Sequence, residues 1–202
     1  IFSAICKNIM KLLLKMSVLQ WLKILWHAGK NKPPNIITNN TNSSLYKGIV
    51  KMDIRYKRLT EKELNTFIDM RIKQLREEGA KEDIDLVPAL KQYYIRHMGD
   101  GTFVSWLAFD GDRIIGTSGI SFVEKPPYFG CPSGKIGLLS SMFTDPDYRR
   151  KGIAKELLTR VVHDAKEYGC GTVQITASDM GVKLYSNFGF VPNKNFMQYK
   201  LS

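Results

Sequence analysis

Met142-Phe143-Thr144-Asp145-Pro146-Asp147-Tyr148-Arg149-Arg150-Lys151-Gly152-Ile153-Ala154 joins a strand to a helix through a short basic turn. Ahead of it, Lys135 to Phe143 is compact and apolar enough to be a strand, and behind it Ile153, Leu157, Val161, Ala165 and Tyr168 recur at helical spacing. The turn therefore opens a helix. The first N–H groups of a helix have no partner within it, and the aligned peptide dipoles make that end partly positive, so an anionic phosphate is a natural ligand there. Gly152 lets a phosphate approach the main chain where a side chain would stand in its path. Arg149, Arg150 and Lys151 add positive charge.

Arg149-x-x-Gly152-x-Ala154 resembles the Q/R-x-x-G-x-G/A signature of the GNAT acetyltransferase superfamily. Downstream, Ala177 to Phe190 is similar to that family's later segment, in which a helix carrying Leu184-Tyr185 ends at Gly189-Phe190. A predicted strand, Thr172 to Thr176, lies between the two helices, as the family order requires, and the resemblance runs from about Met52 to the C-terminus. It implies an α/β fold of α+β type, the GNAT fold, with a central, mostly antiparallel, twisted mixed sheet and helices on both faces. It also implies acetyl-coenzyme A as cosubstrate. Main-chain groups of Phe143 and Thr144 would pair with the pantetheine arm, and the amides from Arg150 through Lys151, Gly152 and Ile153 to Ala154 would face the pyrophosphate. Ser178 stands where many relatives carry Asn, and Ala154 replaces the commoner glycine.

At 202 residues, with 44% hydrophobic and 24% charged residues, the chain has the composition of an ordinary globular domain. The net charge of +11 suggests a nucleic-acid partner, but it is unevenly placed. Lys7, Lys11, Lys15, Lys23, Lys30, Lys32, Lys47 and Lys51 stand in residues 1–51 without one acidic residue, which leaves the remainder only mildly basic. Without zinc-ligand spacing or an RNP-like aromatic pattern, no nucleic acid is expected as partner. Cys6, Cys131 and Cys170 match no metal or CxxC spacing, so no metal is expected, and their odd number suggests a reducing compartment and a cytoplasmic address. His163 falls on the polar side of the motif helix and reads as a solvated surface histidine.

Residues 1–51 read as a basic leader followed by an Asn/Thr/Ser/Pro-rich linker, and 52–202 as the GNAT domain. The leader holds no apolar run near the roughly 20 residues of a membrane span. Lys7, Lys11 and Lys15 would line one side of a helix lying on an anionic membrane. The alternative is that the leader is translated upstream sequence. Lys47-Gly48 would be encoded with a ribosome-binding core shortly before the Met52 codon, so a native start at Met52 is expected. Within the domain, Ile54 to Leu59 reads as a strand, and Thr60-Glu61-Lys62-Glu63 as a capping box opening a helix toward Glu78. A second helix spans Val87 to Met98, and a hairpin turns at Asp110-Gly111-Asp112 before a strand from Arg113 to Glu124. Lys125 to Gly134 is a Pro/Gly loop and a candidate wall of the acceptor site, and a last strand is expected after the Leu-Tyr helix.

The implied reaction moves an acetyl group to a primary amine by direct attack through a tetrahedral intermediate. An alkylamine is mostly ammonium at neutral pH and must lose a proton before it attacks. The motif strand carries no carboxylate, so Glu124, at the end of the preceding strand, is the nearest candidate base in sequence. Tyr185 matches the family tyrosine that protonates the departing thiolate. Leu184 and Phe188 can supply the buried face of its helix while Tyr185 points about 100 degrees away. The competing reading is an acyl-coenzyme A binding or sensing module without turnover. The acceptor is left open among small-molecule and peptide amines, and so is a homodimer.

Overall fold

The computed structural model describes residues 52–194, 196–199 and 201. The expectations for residues 1–51 lie outside the described residues. The domain opens with β1 (Ile54–Arg58), then a 3-10 turn at Glu61–Glu63, α1 (Leu64–Glu77) and α2 (Val87–Gly99). Next come β2 (Phe103–Asp110), β3 (Arg113–Glu124) and β4 (Lys135–Thr144). A second 3-10 turn at Pro146–Tyr148 leads into α3 (Ile153–Glu167), followed by β5 (Thr172–Gln174) and α4 (Asp179–Phe188). The capping box at Thr60 and Glu63 is present, but the turn it opens is 3-10, and the α-helix begins only at Leu64.

The five strands lie in sequence order. Neighbours among β1 to β4 are antiparallel, β1 and β2 being joined through α1 and α2, whereas β4 and β5, joined through α3, are parallel. Alternation along the strands feeds two cores. Phe103, Leu107 and Phe109 of β2 pack with Phe67, Ile68 and Tyr94 on the α1/α2 face. On the other face Ile120, Phe122 and Leu139 meet Leu158, Val161 and Ala165 of α3, and Ala108 and Ile115 meet Ile153 and Leu157. Burying each of these large α3 side chains contributes roughly 1.5–3 kcal/mol. Gly116 sets how closely α3 sits on the sheet, since a Cβ there would come within 3.2 Å of both Ile153 and Leu157. Asp164, on the same helix, is buried and accepts hydrogen bonds from Arg58 Nη2 (2.6 Å) and Trp106 Nε1 (2.7 Å), tying α3 to β1 and β2.

Three expectations need correction. No strand follows α4 among the described residues, so β5 is the last strand and an edge of the sheet. β5 itself ends at Gln174 rather than Thr176, because β4 bends away from it. The loop from Lys125 to Gly134 closes on itself through Lys125 N–H donating to Gly134 O (2.9 Å) and abuts the start of β4, the end remote from the cleft described next.

Candidate functional site

β4 has two unlike halves. Ile136, Gly137 and Leu138 are paired on both sides, with β3 and with β5. From Leu139 to Thr144 the strand is paired with β3 alone. The change coincides with a bulge: β3 advances from Thr117 to Gly119 while β4 advances from Ser140 to Phe143, an extra residue on β4. Ser141 sits in it at φ 51, held by Thr117 Oγ1 donating to its carbonyl (2.8 Å) and by a 3.3 Å contact between its hydroxyl and that of Tyr94. The bulge bends the strand, β5 stops, and a wedge opens between them.

That wedge is a cleft of about 920 Å³. One wall is the open half of β4 with the start of α3, the others are Ile175 to Tyr185 and the C-terminal half of α1. At the start of α3, Gly152 is the N-cap residue at φ 83, and Arg150 is also left-handed at φ 62. Alternation into that region curls successive N–H groups toward one side, an anion-binding concavity. No side chain caps α3, and a Cβ added at Gly152 would meet nothing within 4 Å. The space over Gly152 is therefore open, and its conformation is one that other residues rarely adopt. Beside it, the Thr144 hydroxyl is buried with no hydrogen-bond partner. Uncapped amides, open space and an orphaned hydroxyl fit an incoming pyrophosphate.

Most of the residues read from the sequence gather here. Phe143, Thr144, Arg149, Arg150, Gly152, Ile153, Ala154, Ser178 and Tyr185 all line the cleft. Lys151 does not; its ammonium lies 5.1 Å from the centre of the Tyr148 ring. Arg149 acts as a brace rather than a free charge. Its Nε donates to Thr144 O (3.0 Å), its Nη2 pairs with Glu77, and its Nη1 reaches Met180 Sδ (3.6 Å). Ser178 is the N-cap residue of α4, where its carbonyl accepts from Gly181 N–H (2.8 Å) but its side chain makes no capping hydrogen bond. Glu124 is exposed, pairs across the sheet with Lys135, and lies outside the cleft, because the strand carrying it runs away from the open half of β4.

Tyr185 is more buried than its helical position suggests. It is the buried residue of α4, in edge contact with Phe190 at 5.7 Å between ring centres, while Leu184 and Phe188 are only partly buried. It nevertheless lines the cleft. Burial, reinforced by the Glu78 carboxylate, pushes its phenol up to about 12. Such a group stays protonated at any ordinary pH and is a standing hydrogen-bond donor.

The α1 wall was not anticipated. Arg71, Gln74, Glu77 and Glu78 line it, with Arg71 Nη1 donating to Gln74 Oε1 (3.0 Å) and Gln74 Nε2 donating to Glu78 Oε1 (3.0 Å). A signal exists in the sequence: Leu64, Phe67, Arg71, Gln74 and Glu78 share one helix face that turns from apolar to polar over its last turns. Among the described residues no group of three or more His, Cys, Asp or Glu could hold a metal, and no helix is long and apolar enough to cross a membrane.

The family model described as acetyltransferase (GNAT) family matches residues 65–190. A Bacillus subtilis protein named uncharacterized N-acetyltransferase YsnE is 26% identical over 99 residues, 46% of this chain and 60% of its own length. N-acetyltransferase 8B of Rattus norvegicus is 33% identical over 101 residues, 48% of this chain and 42% of its own. The matched stretches thus span less than two thirds of these relatives. A predicted acetyltransferase from Clostridium acetobutylicum, whose crystal structure was determined with acetyl-CoA, is similar at TM-score 0.71 and 28% identity over 73% of this chain and 96% of that one. A GCN5-related N-acetyltransferase from Ralstonia eutropha shares the fold at TM-score 0.68 and 22% identity, over 73% and 98% of the two chains.

Proposed function

Since the chain belongs to the acetyltransferase (GNAT) family, we propose that it moves an acetyl group from acetyl-coenzyme A to the primary amine of a small molecule or peptide by direct attack. The observation that carries this reading is the half-open β4 strand leading straight into an uncapped, glycine-started helix, a main-chain edge followed by an anion cradle. The free edge from Leu139 to Thr144 can take the amide-bearing pantetheine arm as an added strand. The amides from Arg150 to Ala154 receive the pyrophosphate, Arg149 keeps them in place from Thr144 and Glu77, and Arg150 and Lys155 supply charge at the rim. Charge-assisted hydrogen bonds of this kind are worth about 1.5–3 kcal/mol each, so a few suffice for micromolar affinity.

Bound acetyl-coenzyme A supplies the thioester; the chain positions it and handles protons. A neutral amine forms the new C–N bond at the carbonyl carbon, and collapse of the tetrahedral intermediate breaks the C–S bond. Tyr185 donates its hydroxyl proton to the departing sulfur and recovers one from the nitrogen. With the phenol near 12, outright transfer to an ordinary thiol near 8.5 is uphill by about 5 kcal/mol, so donation has to run together with loss of the N–H proton. A cleft-lining tyrosine poised this way supports turnover over mere acyl-coenzyme A binding.

The test is thiol release from acetyl-coenzyme A across a panel of amines, alongside calorimetric binding of the cosubstrate. Amine-dependent release is the expected result. Tight binding without release from any amine would instead support the binding module, and loss of both would overturn the cradle.

A further inference from the structure

Acetyl transfer needs an acceptor amine that has lost its proton, and β4 carries no carboxylate to take it. The carboxylates that line the cleft are Glu77 and Glu78. Glu77 is engaged by Arg149. Glu78 makes no ion pair among the described residues, and its carboxylate accepts a hydrogen bond from Gln74 Nε2 (3.0 Å). Gln74 is itself buried, 7% exposed, and its carbonyl is taken by Arg71 Nη1 (3.0 Å). Because Arg71 can only donate, the Gln74 amide is locked with its NH₂ toward Glu78. A buried amide is thus spent on aiming an exposed carboxylate. Glu78 also follows the last turn of α1, where the helix dipole is negative and disfavours a carboxylate, so helix stability does not account for it.

Resting on the acetyl-transfer reading above, we propose that Glu78 anchors the acceptor ammonium in the cleft and takes its proton toward solvent, with Gln74 as the positioning residue. The other ionisable groups of the cleft walls are Arg71 and Glu77 on α1, Arg149 and Arg150 on the cradle, Lys155 on α3, and Lys183, Tyr148 and Tyr185. Glu78 is the carboxylate among them that is free of an arginine and whose charge is felt at the Tyr185 phenol. The proton balance then closes across the cleft. The ammonium gives one proton to the Glu78 carboxylate, which passes it to water; the amine lone pair forms the C–N bond; of the two N–H protons left, one reaches the departing sulfur by way of Tyr185 as the C–S electron pair leaves with it, and the other stays on the amide nitrogen. The products are an amide, a thiol and one released proton.

The experiment uses acetyl-coenzyme A with spermidine, kanamycin and a tetrapeptide with a free N-terminus, and follows whichever amine releases most thiol. Glu78→Gln should lower kcat/KM at pH 7 by about 100-fold while acetyl-coenzyme A affinity stays within about twofold. An enzyme that must collect free amine from solution gains tenfold per pH unit below the amine's pKa, so the deficit should close at about that rate as pH rises. Glu78→Asp should recover part of the loss, and Gln74→Leu should lower kcat more than it raises KM. A Glu78→Gln enzyme within twofold of wild type would overturn the assignment, as would a pH-independent deficit accompanied by weakened cosubstrate binding. If the wild type binds acetyl-coenzyme A but releases no thiol with any of the amines, the amine-acetylation reading itself fails, and this role with it.

Discussion

The two walls of the cleft are built from different materials. The β4/α3 wall is main chain: a strand edge left open past Leu138, a bulge at Ser141, and a helix start at Gly152 with no side-chain cap. The α1 wall is side chain: Arg71, Gln74, Glu77 and Glu78 in a run of hydrogen bonds and one ion pair to Arg149. Backbone groups do not change when side chains do, so the first wall suits a ligand that is always the same. Side chains set the character of the second, which suits the ligand that gives the reaction its specificity. This division predicts that substitutions on the two walls separate cosubstrate affinity from acceptor use.

The largest effect should come from Gly152→Asp. It puts an anion where the pyrophosphate is proposed to lie and forces a residue with a Cβ to φ 83, at a folding cost of about 1–2 kcal/mol. Loss of two charge-assisted hydrogen bonds at about 1.5–3 kcal/mol each corresponds to roughly 1,000-fold weaker acetyl-coenzyme A binding by calorimetry. Undiminished binding in a folded variant would break the main-chain side of the comparison.

Tyr185→Phe comes next, with kcat lower by about 100-fold and cosubstrate affinity nearly unchanged. The same variant reads the buried phenol in stability. Between pH 10, where an unfolded tyrosine ionises, and about 12, the folded chain keeps the proton and the unfolded chain loses it. Stability present in full below pH 10 is therefore lost as pH rises toward 12, by up to roughly 2–3 kcal/mol from this group. Denaturant titrations at pH 9 and 11 should show Tyr185→Phe losing less stability than wild type over that interval.

A smaller effect is expected at the brace. Arg149→Ala removes the link between Thr144 O and Glu77 while leaving the cradle amides in the chain, so acetyl-coenzyme A binding should weaken by about tenfold, one charge-assisted hydrogen bond at the low end of its range. The smallest effects should be at Lys151 and Glu124, which lie outside the cleft. Lys151→Ala should alter cosubstrate affinity and Glu124→Gln should alter kcat by less than about twofold, within ordinary surface substitution effects; a large loss at either would mean that the cleft extends beyond its present walls.

The division between walls also explains what the sequence makes legible. A main-chain wall needs glycine, positive φ and a strand-to-helix junction at fixed local spacing, so Arg149-x-x-Gly152-x-Ala154 announces it within a few residues, and Ile153, Leu157, Val161 and Ala165 show which face of α3 is buried. A side-chain wall is assembled by tertiary packing. Gln74 and Glu78 lie far along the chain from Tyr185, and only the polar turn of the α1 stripe hints at them. Glu124 is near the motif strand in sequence but far from its open half in space, because in an antiparallel pair the end of β3 meets the start of β4. Tyr185 turned out buried because Phe190, past the Gly189 helix stop, folds back onto it. The strand that the family order implies after α4 does not form among the described residues.

Hydrogen exchange with and without acetyl-coenzyme A, resolved to single amides, tests the division between walls most directly. Those amides of Leu139 to Thr144 that point away from β3, and those of Arg150 to Lys155, should slow by tenfold or more on binding, as expected when open edge groups gain partners, while α1 from Arg71 to Glu78 changes little until an acceptor analogue is added. Protection centred on α1, with the β4 edge and the start of α3 unchanged, would contradict a cosubstrate held by the main-chain wall.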